Sequence, residues 1–400
     1  MHRKRPAGRW PAALAAAAAA LILTTSCGSP GSSGSTGNKA SDPVKVGLVY
    51  SKSGPLATYG KQYLEGFQAG LDYATKGTGK AGGRTIEVHQ ADDAGDPAKA
   101  VAATKDLIGQ GYDVIAGATS SGVATQVSPL TEQNKVLFLS GPAATDAVTG
   151  AGPYTFRSGR QTTQDINTAA AFVGDMKGKK VTVFAQDNAF GQANVAGVKA
   201  VLEPQGAKVA PLLVPAAAND FTPFATQAEK AGADMMFVAW AGTSAKAMWT
   251  ALGQQGVFDS TKVVTGLDIA ATWPSYGKVA QEVDFLAHYF AGAAGTEAEK
   301  AMTERVTKAG GEVGLFTVDG FTAAQMIVHA AGQGASADEM AKALEGWSFE
   351  GVKGKLTVRA EDHALLQPMF QARLKNGTPP TAELVKKLDA DAVAPGVVEK

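Results

Sequence analysis

Eight short apolar runs, spaced by stretches of helical character, set the strongest limit on what this 400-residue chain can fold into. "VKVGLVY" (44–50), "TIEVHQADD" (85–93), "DVIAGA" (113–118) and "VLFLSG" (136–141) form one series. After "PYTFRSG" the pattern restarts with "KVTVFAQ" (180–186), "KVAPLLV" (208–214), "DMMFVAW" (234–240) and "KVVTGLD" (262–268). Strand and helix alternating at this interval means a parallel sheet with helices packed on it. Two successive blocks, near 44–158 and 162–284, predict an α/β protein of two similar lobes, although no sequence repeat links them.

Local punctuation supports the pattern. Asp96 followed by Pro97 predicts a helix cap and a first helical residue. Val101, Thr104 and Ile108 then share one face, and Gly111 ends the helix. Thr222-Pro223 repeats this start. "DGFTAAQMIVHAAG" (319–332) reads as a long helix, and "GKLTVRAEDHALLQPMFQARLKNG" as a β-hairpin with a polar turn. "GFQAG" (66–70) is a GxxxG inside a helix and signals close packing.

The N-terminus carries a different message. "MHRKRPAGRW" is basic, "PAALAAAAAALIL" is apolar over 13 residues, and small residues follow. This is the form of a secretory signal peptide, expected over 1–26. The run is shorter than the roughly 20 residues a membrane-spanning helix needs. The chain's single cysteine, Cys27, comes next, preceded by Leu23, Thr24, Thr25 and Ser26 in the manner of a bacterial lipobox. Residues 27–42 are Gly/Ser-rich and read as a flexible tether. A lone thiol at the head of a tether has no disulfide partner, so Cys27 is expected to be a lipid anchor, fixing an exported protein to the outer face of the cytoplasmic membrane. An incidental cysteine after an ordinary signal peptide is the alternative.

The whole chain has 37 basic and 37 acidic residues. Four of the basic ones lie in the first ten, which leaves 33 against 37 in the mature chain, a net charge of −4. A nucleic-acid partner is therefore not expected. About 360 residues remain beyond the tether, more than one typical core holds.

Enzyme signatures fail on inspection. "GTGKAG" (77–82) matches GxGxxG but precedes a strand, so it is a turn. No serine stands in a GxSxG elbow. The five histidines have no metal-ligand spacing, and Asp92, Asp93 and Asp96 do not follow the EF-hand pattern; they read as a strand end and a helix cap. No cofactor is expected.

Ligands of open α/β sheets sit beyond the carboxyl ends of the strands. The loops there, "YSKSGPLATYG", "GATSSGV", "SGPAATDAVTG", "QDNAFGQ", "AWAGTSA" and "GLDIAATW", are rich in glycine, hydroxyls and small residues and run into helix starts, where backbone amides favour an anion. The ordered set "VKVGLVYSKSGPLATYG", "ADDAGDPAKA", "GATSSGVA", "FAQDNAFGQ", "FVAWAG" and "GKLTVRAEDHALLQPMF" resembles the branched-chain amino acid (type I) periplasmic solute-binding proteins of ABC transporters, in a lipoprotein form.

That resemblance covers the chain from about residue 44 and implies two Rossmann-like lobes joined by a three-crossing hinge. It implies lobe 1 at 43–160 plus about 285–345, lobe 2 at 161–284 plus about 346–385, and a tail at 386–400. It also implies ligand contacts. Ser120 and Ser121 hold a carboxylate, while Ala143 and Thr145 supply backbone groups and a hydroxyl. Tyr59 comes from the first loop, Phe190 stands where a tyrosine is usual, Trp240 closes the cleft, and Asp268 pairs with an ammonium. Such a set suits a zwitterion, an amino acid with a branched-chain or similar apolar side chain. The expectation behind Asp268 is that a simple acid would leave its carboxylate buried and unpaired.

Each assignment has a plainer alternative. Ser120, Ser121 and Thr145 serve equally as helix caps, Phe190 and Trp240 as core aromatics, Asp268 as a loop acid, and Phe316 stands open between wall and core. Phe190 and the small Ala118-Thr119 floor point to a roomier or more apolar ligand. The implied partners are a small-molecule ligand, ABC permease subunits and the membrane through the anchor, the protein itself being a monomer. Receptors for amides, urea, or aromatic and keto acids use the same scaffold, and a sensory module for a signalling partner is the alternative of another class.

Overall fold

The computed structural model describes residues 42–172 and 174–399. The expected signal peptide, Cys27 and all but the last tether residue lie outside the described residues. The first lobe follows the predicted alternation: β1 (Val44–Tyr50), α1 (Ala57–Ala74), a short β2 (Lys80–Ala81), β3 (Arg84–Asp92), α2 (Pro97–Gly109), β4 (Val114–Gly117), α3 (Ser121–Asn134), β5 (Leu137–Ser140) and β6 (Thr155–Arg157). The strands form one sheet in the order β2-β3-β1-β4-β5-β6, parallel except for β2. Asp96 caps α2 through the Ala98 and Lys99 amides, as read from sequence. Its buried face is Ala100, Thr104 and Leu107, one residue before the expected Val101 and Ile108 on either side of Thr104.

The second lobe repeats the plan with α4 (Thr162–Ala170), β7 (Lys180–Asp187), α5 (Ala189–Leu202), β8 (Lys208–Pro215), α6 (Thr222–Lys230), β9 (Met235–Ala239), α7 (Ala245–Gln254), β10 (Lys262–Gly266) and β11 (Val283–Ala287). Thr222 is the first residue of α6 and not its cap; the Asp220 side chain accepts from its amide at 2.9 Å.

From β11 the chain returns to the first lobe as α8 (Glu297–Lys308), α9 (Thr317–Gln333) and α10 (Ala337–Leu344). Helices α1 and α9 lie in close contact because α1 presents glycines. A Cβ at Gly66 would stand 1.9 Å from the Thr317 carbonyl oxygen, and one at Gly70 2.6 Å from that of Phe321. The GxxxG is therefore a packing motif of a buried helix pair.

The segment expected wholly in the second lobe divides. β12 (Ser348–Gly351), β13 (Gly354–Val358) and β14 (Leu365–Leu366) form a small antiparallel sheet. Leu356, Val358 and Leu365 are buried in one cluster with Val44, Val46, Leu137 and Ile327, which is the first lobe's core. Only β15 (Met369–Lys375) and β16 (Thr381–Leu388) join the second sheet, in the order β16-β15-β11-β10-β9-β7-β8. The expected hairpin forms between β13 and β14 across the polar turn at 359–364, and the chain after it joins the other sheet, where Phe370 and Ala372 are buried in the second lobe's core. Residues beyond β16 are docked as well: Asn167 donates to the carbonyls of Val393 and Ala394, and Arg359 to those of Pro395 and Gly396.

The chain thus passes between the two sheets three times, at 158–161, 288–296 and 367–368. Buried polar side chains hold these crossings. Gln164 donates to the Leu365 carbonyl at 2.9 Å, Gln367 to Gln164 at 3.2 Å, and Lys353 to Gln367.

Candidate functional site

The loops at the carboxyl ends of β1, β4, β5, β7, β9 and β10 meet around one cavity of about 670 Å³, lined by both lobes. In each sheet the strand order reverses beside a central strand, β1 between β3 and β4, and β7 between β8 and β9. The cavity lies at these switch points, where α/β sheets open a crevice between diverging loops.

On the first-lobe side the turn after β4 is tight. Gly117 has φ 125°, a Cβ there would stand 2.2 Å from the Val49 carbonyl oxygen, and Ala118 follows in the left-handed region at φ 60°. The turn delivers Thr119, Ser120 and Ser121 to the cavity. The Thr119 hydroxyl accepts from the Ser51 amide at 3.1 Å and ties the turn to the end of β1. Ser120 occupies the N-cap position of α3, but its side chain makes no capping hydrogen bond. The first-turn amides of α3 are therefore without a side-chain acceptor. They carry partial positive charge at the cavity wall, where a carboxylate is stabilised.

Two expected contacts are not at the cavity. Ala143 is buried, its amide donates to the Ala118 carbonyl at 3.0 Å, and its own carbonyl accepts from Arg157 at 2.8 Å. Both backbone groups are spent inside the lobe. The Thr145 hydroxyl accepts from the Ala147 amide at 3.3 Å, capping a short 3-10 turn, and its carbonyl takes another Arg157 nitrogen at 2.9 Å. Their neighbours Pro142 and Ala144 line the cavity instead. Arg157, fully buried, turns this loop inward because a guanidinium removed from water must find carbonyl acceptors.

The second lobe contributes Phe190, Trp240 and Asp268, all of them at the cavity. Trp240 rests edge-on to Phe221 at 5.3 Å between ring centroids, and its indole N–H donates to Ser244 at 3.1 Å. The start of α5 is closed by its own residue: Asn188 accepts from the Gly191 amide at 2.9 Å.

Tyr59 and Asp268 connect the lobes. The phenol donates to Asp268 Oδ1 at 2.7 Å and accepts from the Gly242 amide at 3.3 Å. Oδ1 also accepts from the Ile269 amide at 2.8 Å. Burial pushes the Asp268 carboxyl up from its ordinary value, and the hydrogen bonds from Tyr59 and Ile269 pull it back. A ligand ammonium is therefore not the only group that satisfies Asp268: Tyr59 and Ile269 already donate to Oδ1, and the Thr272 side chain also favours the carboxylate.

Sequence reasoning missed Arg160, Asp165 and His288, and left Phe316 open; all four line the cavity. Arg160 sits on the first crossing and Asp165 in the first turn of α4, with Arg160 Nε 3.3 Å from Asp165 Oδ2. The Arg160 guanidinium lies 5.8 Å from the Phe316 ring centroid, and Phe316 packs at 4.6 Å from the Tyr59 ring. His288, on the second crossing, is held neutral because burial and the nearby Arg160 charge push its imidazole well below its ordinary value. No local signal marks Arg160 and His288, since crossings have neither helical nor strand periodicity.

The acids Asp92 and Asp93, weighed for calcium, hold the β3–α2 turn. Asp92 accepts from the Lys52, Ser53 and Ala94 amides, and Asp93 from Gly95 and the Ser51 hydroxyl.

Residues 43–379 match the model of the periplasmic binding protein family, and the chain belongs to that family. The "Leu/Ile/Val-binding protein homolog 3" of Brucella melitensis biotype 1 is 28% identical over 197 residues, 48% of this chain and 53% of that protein. The chain thus spans about half the length of the curated relatives it matches. Among solved structures, an ABC-type branched-chain amino acid transporter protein from Rhodopseudomonas palustris superposes with a TM-score of 0.75 at 29% identity, covering 89% of this chain and 100% of the other. A solute-binding protein of an ABC transporter from R. palustris in complex with 3,4-dihydroxybenzoic acid has a TM-score of 0.75 at 26% identity, covering 87% and 98%. These relatives are binding proteins of transporters, not enzymes.

Proposed function

We propose that this chain is the extracytoplasmic solute-binding protein of an ABC importer and captures an amino acid or similar small carboxylate between its lobes. One observation carries the reading: the uncapped start of α3 and the Asp268 carboxylate, from opposite lobes, line the same cavity. A cavity with a partly positive pole and a carboxylate pole complements a zwitterion. A ligand that touches both poles favours the closed arrangement of the lobes, because it gains its full contacts only there. Relatives named for leucine, isoleucine and valine support this choice.

An aromatic acid is the second reading. It is favoured by the aromatic wall of Tyr59, Phe190, Trp240 and Phe316, and by the R. palustris neighbour bound to a dihydroxybenzoic acid.

A thermal-shift panel of the body from about residue 40 onward tests both. It holds amino acids, their amides and keto acids, and benzoates. A ligand at 100 times its dissociation constant adds roughly 2.7 kcal/mol, a shift of a few degrees. A response to amino acids without one to their amides or keto acids supports the zwitterion. A response to acids alone discards it and keeps the transport role; silence throughout in a folded sample overturns both ligand readings.

The reading includes export behind the basic and apolar leader, anchoring through a lipidated Cys27, action as a monomer, and delivery to permease subunits. Cys27→Ala is expected to release the protein from the membrane fraction, and retention there removes the anchor from the reading.

A further inference from the structure

The cavity has a polar feature that neither the α3 start nor Asp268 accounts for. Arg160 and Asp165 both line it, and their side chains are only 10% and 7% exposed. Each has a buried polar atom without a hydrogen-bond partner, Nε of Arg160 and Oδ1 of Asp165. The guanidinium donates through Nη1 to the Pro142 carbonyl at 2.6 Å, and Nη2 engages no acceptor among the described residues. The pair stands at Nε–Oδ2 3.3 Å, so the two groups face each other in charge but are not fully hydrogen-bonded. Burying an ion pair in this way is costly unless its remaining donors and acceptors are met. A wholly apolar ligand surface against it leaves that cost in place.

We infer that Arg160 and Asp165 form a distal subsite for a neutral group that both accepts and donates a hydrogen bond, a hydroxyl or a primary carboxamide. Such a group accepts from the guanidinium and donates to the Asp165 carboxylate. A second carboxylate is disfavoured because Asp165 repels it, and an ammonium because Arg160 does. The two residues lie on one crossing and the helix it opens, five positions apart, so they keep their geometry whichever way the lobes swing. The inference rests on the reading of the cleft as the ligand site, and it moves the preferred ligand from an aliphatic side chain to one with a polar end.

Matched ligand pairs test it on the unaltered body by calorimetric titration. Leucine and asparagine are similar in shape and differ in the carboxamide; benzoate and 4-hydroxybenzoate differ in the hydroxyl. The polar member is expected to bind roughly 10- to 100-fold more tightly than its apolar partner. Asp165→Asn is expected to shrink that advantage by about tenfold. Equal binding within whichever pair responds overturns the subsite and leaves the cleft reading intact. Silence of both amino acids, with 4-hydroxybenzoate bound over benzoate, removes the amino acid and keeps the subsite. Silence of both pairs in a folded sample overturns both. If Asp165→Asn does not fold, the paired affinities of the unaltered protein decide alone.

Discussion

Two helices begin at the same cavity, one in each lobe, α3 after β4 and α5 after β7. At α5 the N-cap residue, Asn188, accepts from the Gly191 amide at 2.9 Å, so the helix start is satisfied by its own chain. At α3 the N-cap residue, Ser120, has extended backbone at φ −98° and ψ 137° yet makes no such bond. Both residue types are good caps, so propensity does not explain the difference. A helix that withholds its own cap keeps its amides for something that arrives later. The start of α3 is thereby left open to an acceptor, and the start of α5 is not.

Making α3 resemble α5 breaks the contrast most severely. Ser120→Asp puts a carboxylate on the α3 amides. It is expected to raise stability by about 1 kcal/mol in a chemical melt and to weaken a carboxylate ligand at least 100-fold, roughly 2.7 kcal/mol, by titration. Unchanged affinity would mean that those amides do not hold the ligand.

The opposite pole comes next. Asp268→Asn keeps a hydrogen-bond acceptor for Tyr59 but removes the charge, and an amino acid ligand is expected to lose about 30- to 100-fold while a simple acid changes little. Equal losses for both would assign Asp268 to lobe contact alone.

Tyr59→Phe removes the phenol that joins Asp268 to the first lobe. It is expected to lower affinity about tenfold for any ligand, with a larger radius of gyration by small-angle scattering in the ligand-free state. An unaltered radius would show that this bond does not hold the lobes together. The smallest effect on binding is expected at α5. Asn188→Ala is expected to cost about 1 kcal/mol of stability, read by chemical denaturation, and to change affinity less than about threefold. A loss of affinity beyond tenfold would show that both helix starts serve the ligand.

Much of this architecture was legible in the chain because it is local. The apolar runs at 44–50, 180–186 and 262–268 are strands because alternating β and α segments can bury their faces only against each other. Asp96-Pro97 starts α2 because a cap and a first-turn proline act within one turn. Tyr59, Ser120, Ser121, Phe190, Trp240 and Asp268 stand at the cavity because they follow strand ends, and strand ends of a parallel sheet share one edge.

What the tertiary structure alone decided is set by long-range contacts. Ala143 and Thr145 were placed at the ligand by their position in a loop, but buried Arg157, 14 and 12 residues away, takes their carbonyls. The stretch at 348–366 packs in the first lobe while 369–388 pairs in the second, because apolar side chains go to whichever core has room for them. Arg160 carries no periodic signal, and the meaning of Arg160 and Asp165 appears only when a crossing brings both to the cavity wall. Sequence by itself determined the alternating strands and helices of 44–284 and which loops face the cleft, since these follow from periodicity and turn chemistry. The partners of each buried charge, and with them the second polar group in the cleft, depend on which distant carbonyls and carboxylates the fold brings within hydrogen-bonding reach.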